Sequence, residues 1–174
     1  MVELTLRTPA ALGALAAMKA ACPFLMVGMG TVLGAEDAKR AADAGADFLV
    51  SPGLTDDLAE AAMALGVPFL PGVATPSDLM RAQDHGFDYL KFFPAKAAGG
   101  PAYLKALSGP FGYVKFCPTG GIGPDQVMDY LGLPNVVCVG GSWVASRAMI
   151  KAQDWAGIER NAYLATSIAT GDKA

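Results

Sequence analysis

Short apolar runs recur along this chain at intervals of about twenty to twenty-five residues, and alanine-rich stretches with helical spacing separate most of them. The runs are Glu3–Arg7, Phe24–Val27, Asp47–Ser51, Pro68–Pro71, Asp88–Phe93, Tyr113–Cys117 and Asn135–Val139. Continuous apolar strands alternating with helices predict a parallel sheet covered on its outer faces, because such strands are buried on both sides. Turn and cap residues mark the helices between them. Thr8-Pro9 and Thr75-Pro76 each set a capping side chain before a proline suited to the first helical position. Thr55-Asp56-Asp57 puts acids in a first turn, where the helix dipole favours them. Gly45, Gly66 and Gly86 stand where helix ends require positive φ.

The stretch from Ala10 to Leu33 is apolar enough to resemble a membrane or signal segment. Lys19 interrupts it, Pro23 breaks it, and Gly28, Gly30 and Gly34 follow closely, with no basic leader ahead of it. It therefore reads as a buried helix followed by a buried strand.

Two α/β architectures suit this alternation, an open doubly wound sheet and a (β/α)8 barrel. A leucine-rich solenoid shares the period but requires regularly placed leucines and an asparagine that the chain lacks. A barrel needs eight strands and usually at least about 200 residues. This chain has 174 and begins almost directly on a strand. The expectation is a (β/α)8 TIM barrel with about seven of its eight strands present, the first βα unit lying upstream of Met1. No linker, low-complexity run or charge block divides the chain, so residues 1–174 are expected to form a single domain.

Composition narrows the function. Hydrophobic residues make up 53% and charged residues 17%, which implies a well-buried interior and excludes disorder. A net charge of −3 argues against a nucleic-acid or acidic-membrane partner, either of which favours a basic surface. Cys22, Cys117 and Cys138 form no Cys-x-x-Cys pair, and their odd count points to thiols in a reducing, cytoplasmic compartment. The single histidine, His85, reads as a helix end, which makes Ser-His-Asp chemistry and a histidine-rich metal site improbable.

Lys91 is the most informative residue. It sits in Asp88-Tyr89-Leu90-Lys91-Phe92-Phe93-Pro94, where almost every neighbour is apolar. Such a lysine snorkels to water, pairs with a carboxylate, or serves as a nucleophile toward a carbonyl. Period two places Tyr89, Lys91 and Phe93 on one strand face, and Glu3, Thr5 and Arg7 on one face of another. A barrel interior would receive an amine, a carboxylate and a guanidinium in this way. The alternative for Glu3-Thr5-Arg7 is an exposed edge strand of alternating charge. Two glycine-rich strand ends follow, Cys117-Pro118-Thr119-Gly120-Gly121-Ile122-Gly123 and Val139-Gly140-Gly141-Ser142-Trp143. After the last strands of a barrel, such loops commonly hold a phosphate on backbone N–H groups. Read otherwise, they are two tight turns needing positive φ. Gly28-Met29-Gly30-Thr31-Val32-Leu33-Gly34 resembles a dinucleotide fingerprint, but its spacing is one residue too long, and Asp47 opens a strand where a ribose binder would close one.

Together these segments resemble the 2-keto-3-deoxy-6-phosphogluconate (KDPG) aldolase family. The matching motifs are Glu3-Leu4-Thr5-Leu6-Arg7-Thr8, Gly30-Thr31-Val32-Leu33, Ser51-Pro52-Gly53-Leu54-Thr55, Lys91-Phe92-Phe93-Pro94-Ala95, Cys117 to Ile122 and Gly140-Gly141-Ser142-Trp143, in family order and spacing. The resemblance implies a (β/α)8 barrel, usually a homotrimer, that needs no metal or other cofactor and takes a phosphorylated 2-keto-3-deoxy sugar acid or pyruvate. It implies Lys91 as the Schiff-base lysine and Glu3 as the general acid–base. Arg7 and Thr31 would hold the pyruvyl carboxylate, with Thr119 close to the reacting carbons. Pro52 and Phe93 would wall the pocket, and Gly120, Gly121, Gly141 and Ser142 would bind phosphate.

Alternatives remain within and beyond that class. They are cleavage of the galactonate epimer or of 4-hydroxy-2-oxoglutarate, a truncated non-catalytic oligomer, and a nicotinamide-dependent reductase. The chain departs from the family pattern at Met29, which could narrow the pocket or fill core space. It departs again at Lys96, where an acid is common. Lys96 is expected to be solvated and neutral for function.

Overall fold

The computed structural model describes residues 1–171. The chain divides into two compact units, Met1–Phe93 and Pro94–Ala174. The first alternates strands and helices, the second sets one strand among helices, and every strand pairing given by register is parallel. The α/β class is the one the apolar pattern predicts. Domain residues 172–174 lie outside the described residues.

In the first unit, β1 (Val2–Thr5), β2 (Val27–Gly30), β3 (Leu49–Val50) and β4 (Phe69–Leu70) form a sheet in that order. A separate parallel pair joins β5 (Gly72–Val73) to β6 (Tyr89–Phe92). Helices α1 (Ala11–Ala21), α2 (Ala35–Asp43), α3 (Asp56–Leu65) and α4 (Pro76–Asp84) alternate with the strands. Leu15, Val27, Met29, Ala38, Ala41, Leu49 and Leu58 form the buried core, and Leu4, Leu6 and Phe69 pack against it. Each large apolar side chain fully buried there contributes about 1.5–3 kcal/mol. Because Leu4 and Leu6 face the core, period two turns Glu3, Thr5 and Arg7 to the other side of β1.

The strand boundaries differ from the sequence expectation in ways that have local causes. The second strand lies at Val27–Gly30, three residues beyond the expected start, and Phe24 is fully exposed. Its two glycines disguise it, yet Val27, Gly28, Met29 and Gly30 are all buried between β1 and β3. Pro68–Pro71 is split. Pro71 has no N–H to donate, so the chain pairs with β3 before it and with β6 after it. Thr8-Pro9 does not cap α1, which starts at Ala11 with no side-chain cap. Instead Ala11 N–H donates to Thr8 O (3.1 Å), leaving Pro9 at the second position of a turn. Gly28 and Gly30 lie inside β2 rather than in a strand-to-helix turn, and a Cβ on Gly28 would strike the Phe48 ring. The dinucleotide reading therefore lacks its loop. Asp47 is committed elsewhere: it pairs with Lys19 and accepts from Val27 N–H at 2.8 Å. The Lys19 hydrogen bond, then the one from Val27, holds its carboxyl below the usual value. Lys19, the charge that interrupts the apolar stretch, thus ties α1 to the start of β3.

Other expectations hold as written. Gly45, Gly66 and Gly86 have φ of 84°, 66° and 81°. The Thr55 side chain caps α3, and His85 ends α4 with its ring 3.1 Å from Asp56. Thr75 and Asp78 form a full capping box on α4.

In the second unit, α5 (Gly100–Leu107), β7 (Lys115–Pro118), a short 3-10 turn (Pro124–Gln126), α6 (Val127–Leu131), α7 (Arg147–Lys151) and α8 (Trp155–Thr170) follow one another. The expected strand Asn135–Val139 is reduced to single bridges, Phe116 to Val136 and Thr119 to Gly140. Between them Cys117-Pro118 opposes Val137-Cys138-Val139, one residue more. Pro118 also lacks an N–H, so the ladder cannot run continuously. The Cys117 and Cys138 thiols are hydrogen-bonded, which holds Cys138 below its usual value against the effect of burial.

Partial burial pushes the Asp78 carboxyl up, but hydrogen bonds from the N–H groups of Ala74 (3.0 Å) and Thr75 (2.8 Å), the Thr75 hydroxyl and the Arg81 charge together leave it lowered. A lowered folded value means the contribution is present above the unfolded value near 3.9 and is lost as pH falls through the folded one. Asp78→Ala is therefore expected to lose about 1–2 kcal/mol at pH 7. Urea denaturation at stepped pH checks this, and the gap to the parent protein should narrow below about pH 4.

Candidate active site

Lys91 lies on β6 in register with Gly72 of β5, and its N–H donates to Pro71 O at 2.8 Å. The residue is only 8% exposed. Its ammonium does not snorkel: Nζ sits 3.4 Å from Oε1 of Glu3 and 5.3 Å from the centroid of the Phe93 ring. That spacing suits a cation–π contact, while the Glu3 contact is a long hydrogen bond of the kind found in substrate-free sites. β1 is indeed an edge strand of its sheet, with Glu3 and Arg7 exposed. It nevertheless brings the Glu3 carboxylate to an amine 88 residues away.

Glycine makes this contact possible. A Cβ on Gly30 would overlap the Glu3 carboxylate, so the carboxylate occupies space that a side chain on β2 would take. Gly72 acts similarly on the other side: a Cβ there would strike the Pro52 carbonyl, so the Pro52 backbone lies against the residue paired with Lys91. Ser51 holds that approach. Fully buried, its hydroxyl donates to Gly53 O (2.6 Å) and accepts from Gly72 N–H (3.3 Å). Ser51 and Gly30 fall in motifs that the sequence marks, but neither they nor Gly72 carry an expected role at the site. The available signal was a hydroxyl at the end of a wholly apolar strand.

Arg7 Nε donates to Thr31 Oγ1 at 3.1 Å, and among the described residues no carboxylate pairs with Arg7. Thr31 has φ of 61°, the left-handed region that a β-branched residue seldom enters. That turn ends β2 and aims the Thr31 hydroxyl at Arg7. Amine, carboxylate, guanidinium and hydroxyl thus all sit within the first unit.

The remaining expected residues lie in the second unit. Thr119 is bridged to Gly140, whose missing Cβ leaves room for the Thr119 methyl group. The Thr119 hydroxyl oxygen is buried and has no hydrogen-bond partner. Gly120 and Gly121 take φ of 102° and 78°, conformations suited to glycine. A Cβ on Gly141 would overlap the Trp143 indole, and Ser142 is exposed. Among the described residues, the N–H groups of Gly121, Gly141 and Ser142 are not engaged by any protein acceptor. Unengaged donors on adjacent glycine turns suit an anion.

A family model described as aldolase, KDPG and KHG aldolase, matches residues 1–161. The chain belongs to this family. The 2-dehydro-3-deoxy-phosphogluconate aldolase of Pseudomonas aeruginosa is 48% identical over 159 residues, spanning 91% of this chain and 72% of that protein. The KHG/KDPG aldolase of Escherichia coli is 45% identical over 155 residues, 89% of this chain and 73% of that one. Among solved structures, the KDPG aldolase of Legionella pneumophila, with pyruvate captured at low pH as a covalent carbinolamine intermediate, matches with a TM-score of 0.89. It shares 46% identity and covers 92% of this chain and 78% of that one. The enzyme of Zymomonas mobilis with 3-phosphoglycerate gives 0.81 at 47% identity, over 90% and 77% of the two chains. The chain is thus an aldolase, a carbon–carbon lyase, and the barrel class expected from its sequence is that of its family.

Gly30→Ala in this aldolase is expected to displace the Glu3 carboxylate and lower turnover by about 10²-fold, as a misplacement near 1 Å can. Gly13→Ala, in α1 with nothing within 4 Å of the new Cβ, is expected to leave turnover unchanged. Steady-state kinetics on both variants, with circular dichroism to confirm folding, checks the pair.

Proposed function

We propose that this aldolase cleaves 2-keto-3-deoxy-6-phosphogluconate to pyruvate and glyceraldehyde 3-phosphate by class I chemistry. The observation that carries the proposal is the buried Lys91 amine facing the Glu3 carboxylate at 3.4 Å. The Lys91 amine attacks the 2-keto carbon to give a carbinolamine, which loses water to form an iminium. Glu3 is close enough to take the ammonium proton before attack and to relay protons to and from the departing oxygen. The iminium draws electrons from the C3–C4 bond. Glu3 then removes the proton of the C4 hydroxyl, the bond breaks, and the aldehyde leaves behind an enamine. The same carboxylic acid returns its proton to C3, and water hydrolyses the new iminium to release pyruvate and the free amine.

Arg7 takes the substrate carboxylate on its planar fork, with the Thr31 hydroxyl beside it. Pro52 and Phe93 wall the reacting carbons, and the unpartnered Thr119 hydroxyl receives a substrate hydroxyl. Gly120, Gly121, Gly141 and Ser142 line the phosphate, with the N–H groups of Gly121, Gly141 and Ser142 left unengaged by the protein. The chemistry requires no cofactor. The family match spans residues 1–161 and so crosses the boundary between the two units, which supports one domain. A homotrimer is the expected assembly, and the exposed Phe24 and Met26 offer apolar surface for subunit contact. The free cysteines support a reducing, cytoplasmic location.

The family description and the Escherichia coli relative both name KHG, which favours 4-hydroxy-2-oxoglutarate as a second substrate. The C4 epimer differs by one hydroxyl orientation, a matter of about 1–3 kcal/mol in a pocket. Pyruvate release measured on all three substrates separates these readings. The proposal expects the largest kcat/KM on the phosphorylated gluconate, and a folded protein inert on every substrate would leave the non-catalytic oligomer. Glu3→Gln is expected to lower kcat by about 10²–10⁴. Lys91→Arg keeps the charge beside Glu3 but not a nucleophilic amine at neutral pH, and should show no detectable turnover.

A further inference from the structure

The glycine turns of the second unit have a cation beside them that the site leaves without a role. Ala95 N–H donates to Thr119 O at 2.8 Å and Lys96 N–H to Gly120 O at 3.1 Å, so the backbone of residues 95–96 is fastened to the turn at two successive points. The Lys96 side chain then runs along the bare face of Gly121. A Cβ on Gly121 would lie 3.0, 3.3 and 3.7 Å from Lys96 Cβ, Cδ and Cγ. The stem is therefore laid on the glycine that exposes one of the unengaged N–H groups. Lys96 is exposed, and among the described residues its ammonium has neither a carboxylate nor a carbonyl partner.

Backbone N–H groups aim at an anion but carry only partial charge. A phosphate at neutral pH carries up to two full negative charges, and a lysine answers as a point charge that can follow the ligand on a flexible stem. The stem here is anchored at its base and free at its tip. We propose that Lys96 is a phosphate-recognition residue, its ammonium supplying the full positive charge for a phosphate that accepts from the Gly121 N–H. The expectation from sequence, that Lys96 is neutral for function, is thereby revised. That the phosphate belongs to a sugar acid rests on the proposed function; that an anion binds here does not.

The test compares the parent chain with Lys96→Ala, Lys96→Glu and Lys96→Arg. Three readouts are used: calorimetric titration with inorganic phosphate, KM and kcat on the phosphorylated gluconate, and deuterium exchange into the methyl group of pyruvate, which carries no phosphate. The proposal expects phosphate affinity to fall about tenfold or more in Lys96→Ala, further in Lys96→Glu and little in Lys96→Arg. KM should rise in parallel while kcat and pyruvate exchange stay unchanged. Unchanged phosphate affinity in Lys96→Glu, no phosphate binding to the parent chain, or an equal loss of pyruvate exchange would each overturn it. Titration needs no turnover, so failure of the aldolase reading appears separately, as absent exchange and cleavage in a protein that still binds phosphate through Lys96.

Discussion

Everything at the candidate active site follows from the placement of one amine. Lys91 is 8% exposed on a strand whose other residues are nearly all apolar, and a charge there must have a partner. Removing Glu3 would leave the ammonium buried without its carboxylate. Glu3 supplies the partner from a strand at the far end of the unit's sequence, 88 residues away. The contact therefore exists only if both sheets of the first unit are assembled. Chemistry and folding meet in this pair: the carboxylate that offsets burial of the ammonium is also placed to take its proton.

Room for the pair is made by absent atoms. Gly30 leaves the volume that Glu3 fills, and Gly72 lets the Pro52 backbone close on the residue in register with Lys91. Ser51 fastens that closure with one donated and one accepted hydrogen bond. Arg7 and Thr31 lie at the C-terminal ends of β1 and β2, and Thr31 accepts an unfavourable backbone conformation to meet Arg7. An observed outlier of this kind, in a residue with a polar side chain aimed at a guanidinium, is a signature of a site rather than of packing alone.

Sequence patterning conveyed the strand–helix alternation, the cap at Thr75, the glycine helix ends and most of the chemistry-bearing residues. Each depends on local rules: an apolar run, a proline after threonine, a glycine at positive φ. What it missed depends on neighbours distant in sequence. Val27–Gly30 looks too rich in glycine for a strand, yet two flanking strands and complete burial make it one. Pro68–Pro71 reads as one strand, but Pro71 divides it between two partners. Thr8-Pro9 has the form of a cap, and a turn three residues earlier uses it instead. Asn135–Val139 is apolar enough for a strand but faces a proline that cannot bond back. At the site, Glu3 and Lys91 were legible as a candidate pair because each breaks its local pattern. Ser51, Gly30 and Gly72 do their work across strands, so no local pattern assigns them a role.

The claim on which the account rests is that the Lys91 amine is assembled as a nucleophile. Incubation of the folded chain with pyruvate and borohydride, followed by intact mass and peptide mapping, tests it most directly. The account predicts one reduced adduct per chain, on Lys91. A folded chain that gains no adduct, or gains it on a different lysine, would contradict it.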